Sequence, residues 1–216
     1  MHRGQLEREI EGIWGRLVSE LPRGLPRAAF LLNQHAALVS ALGERGVSSG
    51  EEFSSCMSSH AAALSVFVEA SLDTHLRAWV GWVKKVEGNL QAALSAAGRA
   101  NAETLTPQQL LGSLPEGMLP SVDAGEAEGV VKDLGLTWRS ALSSLNDEVT
   151  RYASHGGGKS AMAVLKAVFS KLAEYHQRGE ALLARAFATS PTPPLFRELV
   201  PLQNIYFEMR RFGRAE

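Results

Sequence analysis

Apolar residues recur at spacings of three and four along most of this chain, and that period is the signature of amphipathic helices. The first run is Leu6, Ile10, Ile13, Trp14, Leu17, Val18 and Leu21, all on one helical face. Pro22 and Pro26, with Gly24 between them, end or kink it. A second helix is predicted from about Arg27 to Leu42, on Phe30, Leu31, Leu38, Val39 and Leu42, with Gly43 and Gly46 at its end. Ser48 and Ser49 then precede Glu51 and Glu52 at capping-box spacing. The pattern that follows is long: Phe53, Met57, Leu64, Phe67, Val68, Leu72, Leu76, Trp79, Val83, Val86 and Leu90. Unbroken to Leu94 it would reach roughly 65 Å. Such a length implies an elongated molecule or a break, and Asp73-Thr74 offers cap-forming residues for one.

From Ser95 to Asp123 the periodicity fades into Ala, Gly, Ser and Pro, although Thr106-Pro107-Gln108-Gln109 has the form of a short helix start. Asp123 with Glu126 reads as another start, followed by Val131, Leu134, Trp138, Leu142, Leu145, Val149 and Tyr152. His155 and the glycines 156–158 break that run, and Met162, Leu165, Phe169, Leu172, Tyr175, Leu182 and Leu183 make the next. Thr189 to Pro194 is a proline-rich turn or extended linker. A last helical stretch carries Leu195, Leu199, Leu202, Ile205, Tyr206 and Met209, with Pro201 near its start. Composition agrees with the period. There are 29 Ala and 29 Leu against 15 Val and 3 Ile, a balance that favours helix over strand. The expected fold is all-α: an elongated helical bundle or rod of about five to seven helices. Its expected parts are N-terminal helices over 1–94, a linker or insertion over 95–125, and a C-terminal bundle over 126–216.

Charge and cysteine content narrow the function classes. Lys and Arg number 22 against 23 Asp and Glu, so bulk charge gives no pull toward nucleic acid or an anionic membrane. Cys56 is the lone cysteine, which rules out an internal disulfide or a multi-thiolate zinc site and suits a reducing compartment. No apolar run is long enough to span a bilayer. The opening residues are charged where a secretory signal needs an apolar stretch. A cytosolic or peripherally bound protein is expected.

Each candidate for chemistry has a plainer competing reading. Gly156 to Ser160, ending in Lys159-Ser160, resembles the end of a phosphate-binding loop, but the motif's first glycine falls on Ala153 and its preceding strand on a helical pattern. An interhelical turn accounts for it better. The six histidines (His2, His35, His60, His75, His155 and His176) form no metal-ligand spacing. Cys56 lies inside a helical pattern and reads as a structural thiol. Trp79 and Trp82, three residues apart, and Trp14 and Trp138 are placed by their spacing in a bundle core, with partner anchoring as the alternative. Arg210 and Arg211 form a small basic end that complements a helix dipole or touches a partner. No catalytic residue, cofactor or metal is indicated.

The order of the helical segments carries a further signal. Phe30-Leu31-Leu32-Asn33-Gln34-His35, running on to Leu42 and Glu44-Arg45, is similar to the "FLINNYD" helix in the C-terminal region of the Vps fifty-two subunit family of the Golgi-associated retrograde protein (GARP) complex. Phe67 to Leu72, Trp82 to Glu87, Trp138 to Val149, Leu172 to His176 and Asn204 to Arg211 resemble further elements of that family in the same order. The similarity runs from about residue 6 to residue 212. Here His35-Ala36 replaces the family's Tyr-Asp, and Pro201 falls in the family's terminal helix. The family's proteins are several times longer and carry an N-terminal coiled-coil region used in subunit assembly. The resemblance implies a non-catalytic piece of a vesicle tether for endosome-to-trans-Golgi transport, peripheral on the cytosolic face of the trans-Golgi network and endosomes. It implies other GARP subunits, a Rab-family GTPase and SNARE proteins as partners, and neither nucleic acid nor a cofactor. Arg210 and Arg211 are the residues placed at a contact. Phe30, Asn33, Trp138 and Leu145 are structural markers. The alternatives are a helical subunit of another tether such as exocyst, or a nucleotide-binding enzyme using Gly156 to Ser160.

Overall fold

Pro26 opens a helix instead of ending one. In the computed structural model, which describes residues 3–98, 105, 106, 109, 112, 122–153, 158–188 and 198–212, a helix spans Leu25–Glu44 with Pro26 in its first turn. A first-turn residue has no intrahelical partner for its N–H, so proline costs nothing there and its fixed φ helps. Gly24, at φ 91°, turns the chain into it and accepts the first helical bond from the Ala28 N–H at 3.1 Å. Seven helices are present among the described residues, with no strand: α1 (Arg3–Glu20), α2 (Leu25–Glu44), α3 (Glu51–His75), α4 (Arg77–Ala96), α5 (Ala124–Ala153), α6 (Gly158–Ala186) and α7 (Leu202–Phe212). The all-helical expectation holds.

The ends of these helices follow from a few residues. Gly46, at φ 73°, closes α2: its N–H bonds the Gly43 carbonyl at 3.0 Å while the Val47 N–H reaches back to Leu42 at 2.9 Å. That pair of bonds is the Schellman arrangement, which needs a left-handed residue and so favours glycine. The Asp123 carboxylate accepts the Glu126 N–H at 2.7 Å and caps α5 where the sequence placed a start. Thr106 and Gln109 exchange bonds of 2.8 and 3.3 Å between side chain and backbone, the reciprocal capping box. The Pro201 carbonyl accepts from Asn204 at 2.9 Å, so Pro201 immediately precedes α7 and does not interrupt it.

The long central pattern is broken, but not at Asp73-Thr74. The Thr74 hydroxyl donates to the Ala70 carbonyl at 2.7 Å, a bond made within a helix, not at its start. The break falls at Leu76, with φ −131° and ψ 34°, whose carbonyl takes the first bond of α4 from Val80 at 2.9 Å. Leu76 has no capping side chain; it is a buried apolar residue.

The chain divides into two compact units. The first comprises residues Met1–Thr74 and Asp147–Ala167. Its core gathers Ala28, Ala29 and Leu32 of α2, Phe67, Val68 and Leu72 of α3, Val149 of α5 and Val164 and Leu165 of α6. Asn33 Nδ2 donates to the Tyr152 carbonyl at 2.7 Å, and the Phe67 and Tyr152 rings meet edge-on at 6.5 Å. Trp14 stands edge-on to His35 with centroids 5.2 Å apart. The second unit comprises His75–Asn146 and Val168–Glu216. There α4 buries Trp79, Val80, Trp82, Val83, Val86, Leu90 and Leu94, a continuous stripe at helical period. Val131, Leu134, Trp138, Leu142 and Leu145 of α5, Leu172, Leu182 and Leu183 of α6 and Ile205 and Met209 of α7 complete the core.

Candidate functional site

The residues that could have carried chemistry are dispersed. Gly158, Lys159 and Ser160 belong to the first turn of α6, and Gly156 and Gly157 lie outside the described residues. The segment before them is α5, a helix of 30 residues, where a phosphate-binding loop requires a strand. Cys56 is half-buried on α3. Of the histidines, His35, His60 and His75 are half-buried on α2 and α3, His176 is buried on α6, and His2 and His155 lie outside the described residues. Among the described residues no group of three or more His, Cys, Asp or Glu side chains is placed to hold a metal ion. No described helix is long and apolar enough to cross a membrane.

The tryptophans serve the core. Trp79, Trp82 and Trp138 are buried, and Trp14 is half-covered. Trp79 and Trp82 stack with centroids 5.6 Å apart, and His176 lies 5.8 Å from Trp79. On α6, Gly179 makes room for this stack: a Cβ there would lie 2.3 Å from Trp79 Cζ2. His176 Nε2 sits 2.7 Å from the Val200 carbonyl, which ties α6 to the segment leading into α7. Burial pushes the His176 pKa below its ordinary value, and the Val200 carbonyl and Glu180 oppose that only partly. The neutral ring therefore donates from Nε2.

Beside the stack lies an ionic cluster that the sequence did not reveal. Arg178 donates both Nε, at 2.7 Å, and Nη2 to the Glu87 carboxylate, and Nη1 to Glu174 at 3.0 Å. Its guanidinium lies 4.6 Å from the Tyr175 ring centroid, with Lys84 and Lys171 at 5.6 and 5.5 Å. The Arg178 and Glu87 side chains are only 10% and 12% exposed. Burial alone would lower the Arg178 pKa, but the hydrogen bonds and charge of Glu87 outweigh it and hold it above its ordinary value. Residues 87 and 178 are 91 apart in sequence, so no local pattern could pair them.

An exposed surface remains at α7. This helix buries Ile205 and Met209 and turns Tyr206 and Phe207 outward, Phe207 being 70% exposed. Arg210 and Arg211 are exposed in its last turn, and Arg211 Nη1 donates to Glu208 at 2.7 Å. Tyr206, one of the apolar residues of this last helical stretch, is 40% exposed. Helical spacing sets Phe207 apart from Leu202, Ile205, Met209 and Phe212, whereas Tyr206, four residues from Leu202 and three from Met209, lies at the edge of that group.

No protein-family model matches the chain, and no solved structure gives a significant match. Among curated proteins the chain is 25% identical, over 216 residues, to vacuolar protein sorting-associated protein 52 A of Arabidopsis thaliana, an alignment covering 98% of this chain and 26% of that protein. It is 20% identical over 208 residues to the vacuolar protein sorting-associated protein 52 homologs of Homo sapiens and Canis lupus familiaris, covering 96% of this chain and 25% of each. The chain thus spans about a quarter of the length of the curated relatives it matches. Over nearly its whole length the chain is a distant homologue of one segment of vacuolar protein sorting-associated protein 52.

Proposed function

We propose that this chain is a non-catalytic helical part of a GARP-type tethering complex, acting in endosome-to-trans-Golgi retrograde transport through contacts with other subunits, a Rab-family GTPase and SNARE proteins. The observation that carries this reading is the alignment of almost the entire chain to a single segment of one vacuolar-sorting protein. The helical architecture supports it, because stacked helices present long lateral surfaces on which partners dock by side-chain complementarity. A peripheral location on the cytosolic face of the trans-Golgi network and endosomes follows from the same reading. Arg210 and Arg211, exposed at the end of α7, are the proposed contact residues.

The test is affinity purification of the tagged chain from its own cells, with mass spectrometry of the co-eluting proteins. Recovery of GARP subunits, a Rab GTPase or Golgi SNARE proteins is the expected result. A preparation that contains the chain alone, at native expression level, overturns the proposal.

A further inference from the structure

We infer that the outward face of α7 is a docking strip for an acidic, amphipathic helix of a partner protein, with Phe207 as its apolar anchor and Arg210 as its charge contact. This deepens the tether reading and rests on it for the existence of a protein partner. Gln203, Phe207 and Arg211 form one ridge at four-residue spacing on α7, and Tyr206 and Arg210 form the next. Two such ridges bound a groove of the kind into which a second helix packs. The exposed large apolar residues of this helix are Tyr206, at 40%, and Phe207, at 70%. Aromatic and arginine side chains together are the types that dominate protein–protein binding energy.

Charge selects the occupant. The strip carries two guanidiniums, Arg210 and Arg211, and one carboxylate, Glu208, which already accepts from Arg211. Glu208 is 16% exposed on its side chain while Arg211 is 67% exposed, so the positive groups face outward and the negative one is tucked beneath. An acidic partner gains Coulombic steering and register from that arrangement, and a basic partner is repelled. An anionic bilayer is a poorer fit. Attraction to it grows with the number of basic residues, and recognition calls for clusters of four to eight such residues. Among the described residues of the strip there are two, one of them already paired with Glu208.

The experiment places a photoreactive p-benzoylphenylalanine at position 207 of the full chain and sequences the cross-linked peptide from its own cells. That peptide is then synthesised and titrated against the unsubstituted chain by fluorescence anisotropy at two salt concentrations. The expected result is an acidic helical segment whose affinity falls at least tenfold in Phe207→Ala and in Arg210→Glu, weakens with salt, and recovers for Arg210→Glu when an acidic residue of the peptide is changed to lysine. Phe207 is exposed, so both variants keep the circular dichroism melting curve of the parent. Cross-linking only to a second copy overturns the inference. So does binding to phosphatidylcholine vesicles containing phosphatidylserine that is lost in Phe207→Ala, or peptide affinity unchanged in both variants. Co-purification of tether subunits that persists in Phe207→Ala and Arg210→Glu overturns this inference while leaving the tether reading intact. An acidic helix from a protein outside any tether does the reverse.

Discussion

Gly179 and Trp79 lie on different helices of the second unit, and the stack of Trp79 on Trp82 depends on the space between them. A methyl group at 179 would lie 2.3 Å from the Trp79 ring. Trp79 is 1% exposed, so its ring is enclosed by the core. Overpacking of this kind costs about 1–3 kcal/mol, so Gly179→Ala is expected to lower the urea midpoint with the slope unchanged. His176 makes a second residue-scale prediction, about pH. Its folded-state pKa is lowered by burial, so the native state keeps it neutral while the unfolded chain protonates near the ordinary value of 6.5. The unfolded state therefore binds more protons as the pH falls. The His176 contribution to stability is fully present above about pH 6.5 and is lost progressively below it. Denaturant titrations between pH 7.5 and 5.5 should show this loss. His176→Gln, which keeps a donor for the Val200 carbonyl, should flatten it.

At the scale of the element, helix ends and one ion pair set the expectations. Gly46→Ala forces a side chain into the left-handed region at φ 73° and should cost about 1–2 kcal/mol. Asp123→Ala removes the cap on the Glu126 N–H and should cost about 1 kcal/mol. Thermal melts of each variant against the parent check both. The Glu87–Arg178 pair joins α4 to α6 by a two-pronged contact that is nearly closed to solvent. Removing Glu87 leaves the largely buried Arg178 charge with Glu174 as its remaining counter-ion, so Glu87→Gln should destabilise by about 2 kcal/mol. Glu87→Leu combined with Arg178→Met should recover most of that loss. A double-mutant cycle measures the difference. The same scale shows where sequence reading stops. The start of α5 at Asp123 and the end of α2 at Gly46 were legible because each cap is a local device of a few residues. The break at Leu76 was not, because no cap-forming residue marks it. Thr74 has the right side chain for a cap and spends it on the Ala70 carbonyl within α3.

For the molecule as a whole, nucleotide binding at Gly156 to Ser160 is not expected, since Gly158 to Ser160 open a helix and the described segment before them, up to Ala153, is helix and not strand. Isothermal titration with millimolar ATP or GTP should give no heat, and Lys159→Ala should leave the melting temperature unchanged. A saturable heat lost in that variant would revive the enzyme reading. What the sequence by itself determined is the fold class, most of the helix starts and stops, and the kinship with a vacuolar-sorting protein. These are carried by period, caps and ordered motifs, which are properties of residues near one another in the chain. The burial of three of the four tryptophans was legible too, because each sits on the apolar stripe of its own helix. What only the tertiary structure decided is which groups meet across helices: Glu87 with Arg178, His176 with Val200, Gly179 with Trp79. It also decided that Phe207 faces outward while Ile205 and Met209 are covered. Helical period tells which residues share a face, but only the packing of one helix on another determines which face is buried and which is left for a partner.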